Sequence, residues 1–96
     1  MKQKKLLVQR TFNSSRWKDI KGLYLEKKFK FNNYNSVIDF VCMVADIAHI
    51  MDHHPELTFN YDTANIRIWT HKVNNKIVDK ITDLDHIFAE KVDSLI

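Results

Sequence analysis

The sequence has almost none of the residues that staple, break or loosen a chain: one cysteine, one proline and one glycine in 96 positions. A single cysteine excludes an intrachain disulfide framework. Its neighbours Val41 and Met43 put Cys42 inside an apolar run, where it reads as a small buried hydrophobe with no reactive role. With glycine only at position 22 there is no phosphate-cradling loop, and no serine or cysteine nucleophile with an evident base can be drawn. Long apolar stretches are missing too. The opening Met1-Lys2-Gln3-Lys4-Lys5-Leu6-Leu7-Val8 stops being apolar at Gln9-Arg10, too soon for a signal peptide, and no stretch reaches transmembrane length. The expected setting is reducing and cytoplasmic, away from any membrane.

What is present is the balance of one compact globular domain over residues 1–96, with 45% hydrophobic and 28% charged residues. Fifteen basic against twelve acidic side chains leave a net charge of +3, clustered at Lys2, Lys4, Lys5 and again at Lys27, Lys28, Lys30. At so modest a charge these clusters read as a solvated basic face and not as a nucleic-acid footprint. A domain this small buries little of its own surface, so self-association is expected.

Trp17 to Phe31 reads as two strands around a turn at Lys21-Gly22, with Leu23, Leu25, Phe29 and Phe31 on one face and Tyr24, Glu26, Lys28 and Lys30 on the other. Lys27 interrupts the apolar face. Asn32-Asn33-Tyr34-Asn35 is a turn and helix cap. Val37, Phe40, Val41, Val44, Ala48 and Met51 recur at three- and four-residue steps and predict a helix over 36–51. Pro55 forces His54 into extended backbone and ends that helix. Leu57 to Tyr61 and Ala64 to His71 follow as strands around Asp62-Thr63, with Ala64, Ile66, Ile68 and Thr70 facing the core. Val73 to Lys80 reads as a loop. Thr82-Asp83-Leu84-Asp85 has capping-box spacing and opens a last helix with the stripe Leu84, Ile87, Phe88, Val92 and Leu95.

His49, His53, His54 and His71 bracket a helix end and a strand end. Histidine titrates near neutrality, so a cluster suits proton transfer. The alternatives are scattered polar residues at element ends, or a metal site in which His49 and His53, four apart, gain Asp52 or His71 as a third ligand. No HExxH glutamate and no second cysteine supports a metal.

His49-Ile50-Met51-Asp52-His53-His54-Pro55-Glu56, then Tyr61 six positions after the proline, then Thr70-His71 ending ten positions after Tyr61, resembles the signature of the pterin-4a-carbinolamine dehydratases. The resemblance runs over residues 17–95. It implies an α+β fold, a four-stranded antiparallel sheet with helices on one face in the order (α)-β-β-α-β-β-α. It also implies elimination of water from 4a-hydroxytetrahydropterin to quinonoid dihydropterin, in tetrahydrobiopterin recycling, without metal or cofactor. His53, His54 and His71 then become the catalytic histidines, and Asp52, Trp69, Thr70 and Lys72 the lining of the pterin pocket. A homodimer or homotetramer is expected.

Four features depart from the family's pattern. His49 stands where a glutamate is usual, and Leu57 where a tryptophan is common. The stretch between His71 and Asp85 is long and lacks glycine, and the segment before Trp17 is short for a first helix. A second implication of the resemblance is a protein-binding role, since some animal members serve as dimerisation cofactor of a homeodomain transcription factor. The spacing of Asp85 assigns it to the helix cap and not to the chemistry.

Overall fold

The computed structural model describes residues 16–96. The expected first helix and the Lys2, Lys4, Lys5 cluster lie outside the described residues. The elements run β1 (Lys18–Ile20), β2 (Tyr24–Lys30), α1 (Tyr34–Met51), β3 (Glu56–Phe59), β4 (Thr63–Ile68), β5 (Thr70–Val73), β6 (Lys76–Lys80) and α2 (Asp83–Asp93). Strands β1-β2-β4-β3 form an antiparallel sheet in that order, and β5-β6 is a separate hairpin. The fold is α+β with this sheet at its centre, as expected.

Period-two alternation sets which face of the sheet is buried. Leu25 and Phe29 from β2 and Ala64, Ile66 and Ile68 from β4 turn inward. They meet Val37, Phe40, Val44, Ile47 and Ala48 of α1, with Phe40 packed on both Phe29 and Phe31 at ring separations of 4.7 and 5.0 Å. Phe88, Ala89 and Val92 of α2 join the same cluster. Lys27 does share the apolar face, yet only 10% of its side chain is exposed. Its stem crosses the core edge and its Nζ reaches Asp93 Oδ1 at 3.0 Å, passing 4.9 Å from the Phe29 ring centre. Trp17 Nε1 donates to the same oxygen at 3.0 Å, so Asp93 ties β1 and β2 to the end of α2.

Both helices are delimited by local hydrogen bonding. Asn33 caps α1 by accepting from Ser36 N at 2.9 Å. At the other end Asp52 adopts a left-handed conformation (φ 50°), its N–H donates to His49 O, and His53 N–H donates back to Ala48 O. That pair of bonds is a Schellman closure, normally served by glycine. With 18 residues and a mean hydropathy of 1.3, α1 has the length and composition of a minimal membrane span, contrary to the sequence expectation. Its Val37, Phe40, Val44, Ile47 and Ala48 seal the sheet, as the core helix of a water-soluble fold does.

Several expectations need correction. Cys42 is exposed, because it lies two positions past Phe40 and off the buried stripe. Leu23 is 50% exposed: it belongs to the turn before β2 and escapes the alternation. The stripe of α2 is rotated. Leu84 and Ile87 are 37% and 47% exposed, while Asp85 is fully buried in line with Phe88, Ala89 and Val92. The strand read as Ala64 to His71 breaks at Trp69 into β4 and β5. The stretch read as a loop from Val73 to Lys80 is largely β6. Asn74 and Asn75 both take positive φ (51° and 65°), the geometry of a two-residue hairpin turn, and asparagine tolerates it better than most residues.

Candidate active site

The centre of the site is a buried carboxylate. Asp85, at the third helical position of α2, accepts from Thr82 N through Oδ2 at 2.8 Å, the reach-back half of a capping box. The same Oδ2 accepts from Thr70 Oγ1 at 2.9 Å, and Thr70 Oγ1 lies 2.7 Å from Thr82 Oγ1. Oδ1 is 2.5 Å from His53 Nε2. One side chain with no solvent exposure thus closes the start of α2, the start of β5 and the end of α1. The Schellman closure at Asp52 delivers His53 to this point, and the Phe88 ring, edge-on at 6.2 Å, flanks its imidazole. Among the described residues His53 Nδ1 makes no hydrogen bond, whereas Nε2 is engaged by Asp85.

His54 follows directly and is exposed, in the non-helical backbone that Pro55 imposes. His71, one residue beyond Thr70, is 62% exposed and its Nδ1 lies 2.6 Å from Asp79 Oδ1 on β6. The structure thereby brings His53 and Thr70 onto one carboxylate and leaves His54 and His71 each one residue from it along the chain. His49 is exposed on the last turn of α1, and among the described residues its imidazole makes no hydrogen bond to the cluster. Asp52 serves as the helix closure, Thr70 has its hydroxyl engaged beneath the surface, and Lys72 is exposed on β5. Among the described residues no three His, Cys, Asp or Glu side chains converge as metal ligands.

Trp69 lies on the sheet's other face, its ring 6.3 Å from that of Tyr24. With Leu23, Tyr24, Glu56, Arg67 and Asp79 it lines a cleft of about 320 Å³. Across this face Lys18, Glu26, Arg67 and Glu56 sit in register on successive strands, alternating in charge. Arg67 Nε donates to Glu26 Oε2 at 2.6 Å and Asn65 Nδ2 donates to it at 3.0 Å. The Asn65 bond and then the Arg67 bond hold the Glu26 carboxyl below its usual range, and Glu26 in turn raises the Arg67 guanidinium. Asp79 and the buried role of Asp85 toward His53 escaped the sequence reading. Asp79 carries no spacing signal, whereas Asp85 was visible only as a cap.

Small α+β proteins that present a His-His-Pro joint after a sheet-covering helix, and a third histidine at a strand end, form the class this arrangement defines. The chain belongs to the family described as Pterin 4 alpha carbinolamine dehydratase, whose model matches residues 2–95. Relatives provisionally named pterin-4-alpha-carbinolamine dehydratase include one from Rubrobacter xylanophilus, 35% identical over 79 residues, covering 82% of this chain and 69% of the relative. Another, from Bdellovibrio bacteriovorus, is 41% identical over 76 residues, covering 79% of this chain and 62% of the relative. The chain thus spans roughly two thirds of the length of the curated relatives it matches. A transcriptional coactivator/pterin dehydratase from Brucella melitensis superposes with a TM-score of 0.71 at 26% identity, over 82% of this chain and 80% of that one. A pterin dehydratase-like RuBisCO assembly factor of the alpha-carboxysome shares the fold, with a TM-score of 0.70 at 22% identity over 86% of this chain and 92% of that one.

Proposed function

We propose that this protein eliminates water from 4a-hydroxytetrahydropterin, giving quinonoid dihydropterin in the recycling of tetrahydrobiopterin. The observation that carries the reading is the buried Asp85 carboxylate, which fixes His53 and Thr70 together under the two chain segments that hold the family's histidines. Elimination breaks the C4a–O bond and forms a C=N bond. The departing hydroxyl must gain a proton and leave as water, and the adjacent ring nitrogen must lose one. Two imidazoles can do both, since a group that titrates near ambient pH is an efficient acid or base. His53, with Nε2 committed to Asp85, works through Nδ1. His71, with Nδ1 committed to Asp79, works through Nε2. His54 holds the pterin, and Asp52, Trp69, Thr70 and Lys72 shape its pocket, Thr70 by fixing backbone because its hydroxyl is occupied. No metal enters the scheme.

The decisive experiment is turnover of a synthetic 4a-hydroxypterin, measured before and after chelation. Absence of turnover, or its complete loss with a chelator, sinks the reading. The second reading is a protein-binding module. It draws on the Brucella protein, described both as a transcriptional coactivator and as a pterin dehydratase, and on the apolar exposure of Ile50 (81%), Ile87 and Leu84. A protein that captures a partner yet turns over no pterin would favour it. These same residues suit a homodimer or homotetramer in the cytoplasm.

A further inference from the structure

The hairpin that carries His71 departs from regular geometry at that residue. In β5-β6 the pairing runs Val73↔Lys76 and Lys72↔Ile77, then jumps to Thr70↔Lys80, so His71 faces an irregularity that takes up Val78 and Asp79. Such bulges kink a strand and re-aim a side chain, and they recur beside active sites. Asp79 sits in the bulge with φ 42°, in the left-handed region that L residues rarely adopt. Its carboxylate is thereby brought to 2.6 Å from His71 Nδ1. Both side chains are more than half exposed, and a surface pair of this kind contributes little to stability. The exposed pair therefore does not by itself offset the left-handed backbone in stability. Asp79 also lines the cleft with Trp69, which puts the tether at the edge of the aromatic surface.

We propose that Asp79 is a positioning residue for His71: it holds the imidazole with the proton on Nδ1 and keeps the Nε2 lone pair available to the substrate. An ionised carboxylate can only accept, so the nitrogen facing it must donate. A free neutral imidazole has no such restriction, and the nitrogen that carries its proton is set by the hydrogen bond at the other. The two histidines are then presented through opposite nitrogens, His53 through Nδ1 and His71 through Nε2, each fixed by its own aspartate. This inference rests on the dehydratase reading, but its first readout does not depend on turnover.

The test is the ¹⁵N spectrum of the histidine rings, recorded at a pH where they are neutral, in the unmodified protein, in Asp79→Asn and in Asp79→Gly. Asparagine and glycine both tolerate the left-handed backbone, so both variants should fold. The expected result is an Nδ1–H tautomer of His71 in the unmodified protein, lost in Asp79→Gly and biased toward Nε2–H in Asp79→Asn, where the amide can donate. His53 serves as the internal control and should not change. On a 4a-hydroxypterin, kcat should fall on the order of tenfold in both variants with KM little altered, a part of the 10²–10⁴ that a general acid or base supplies. An unchanged His71 tautomer overturns the inference, and so does a changed tautomer with undiminished kcat. If the unmodified protein turns over no pterin, the dehydratase reading falls, and the tautomer alone then decides whether Asp79 sets the state of His71.

Discussion

Replacing Asp85 by alanine tests whether one carboxylate supports both the fold and the site. The truncation removes the acceptor of Thr82 N–H, and losing such a cap costs about 0.5–2 kcal/mol. It also strips His53 Nε2 of its partner in a place where the side chain is only 10% exposed, and an unsatisfied buried polar group costs about 1–3 kcal/mol. Thr70 Oγ1 keeps Thr82 Oγ1 at 2.7 Å, so its loss is smaller. The sum is roughly 2–5 kcal/mol, a large share of the 5–15 kcal/mol that typically holds a domain. Denaturant titration followed by circular dichroism should show a lower midpoint at unchanged slope. Asp85→Asn, which can still accept from Thr82 N–H, should recover part of the stability but leave turnover low, since its amide cannot fix the His53 ring in the same way. A loss under about 0.5 kcal/mol in Asp85→Ala would refute the network's weight. Full stability with abolished turnover would show that Asp85 acts in the chemistry and not as cap and support.

Three further outcomes are expected. His53→Ala and His71→Ala should each lower kcat strongly, by about 10²-fold or more, whereas His54→Ala should chiefly raise KM; steady-state kinetics separates the two, and full activity in either of the first pair contradicts the proton-transfer roles. The Glu26 carboxyl is held below its usual pKa of 4.5, so its contribution to stability is complete above that value and disappears as pH falls through the lower, folded one. Relative to Glu26→Gln, the unmodified protein should therefore be the more stable near neutrality and lose that advantage on acidification, as urea midpoints from pH 7 to 3 will show; a constant difference would contradict it. Sedimentation at micromolar concentration should give dimers or tetramers, with Ile50→Glu weakening them, and a monomer throughout would remove the argument from exposed apolar side chains.

Much of this arrangement could be read along the chain because it follows from local rules. The alternation Ala64, Ile66, Ile68, Thr70 gave the inward face, Asn33 the cap of α1, Pro55 the end of it, and Thr82 to Asp85 the start of α2. The histidine joint at 53 and 54 was equally plain. What could not be read depends on pairing across distance. β6 has no apolar alternation, since almost all of it faces solvent, and its existence rests on two asparagines that accept positive φ. Asp79 meets His71 only because a register jump brings it there. The inward turn of Asp85, at the expense of Leu84 and Ile87, is dictated by two partners from other elements, His53 and Thr70, together with its own cap residue Thr82, and spacing along α2 favours the apolar residues instead.

The link from His53 to Asp85 closes a loop of 32 residues, and that from Thr70 to Asp85 one of 15. Neither can exist before α2 has docked at the carboxy-terminal end of the chain. The imidazole of His53 therefore acquires its fixed orientation only once α2 is in place. The same coupling holds in the folded protein: any opening of α2 would withdraw Asp85 from His53 and Thr70. Amide exchange along α2 and the thermal inactivation of turnover should therefore report one opening equilibrium, while exchange in β2 and β4 reports a slower and separate one.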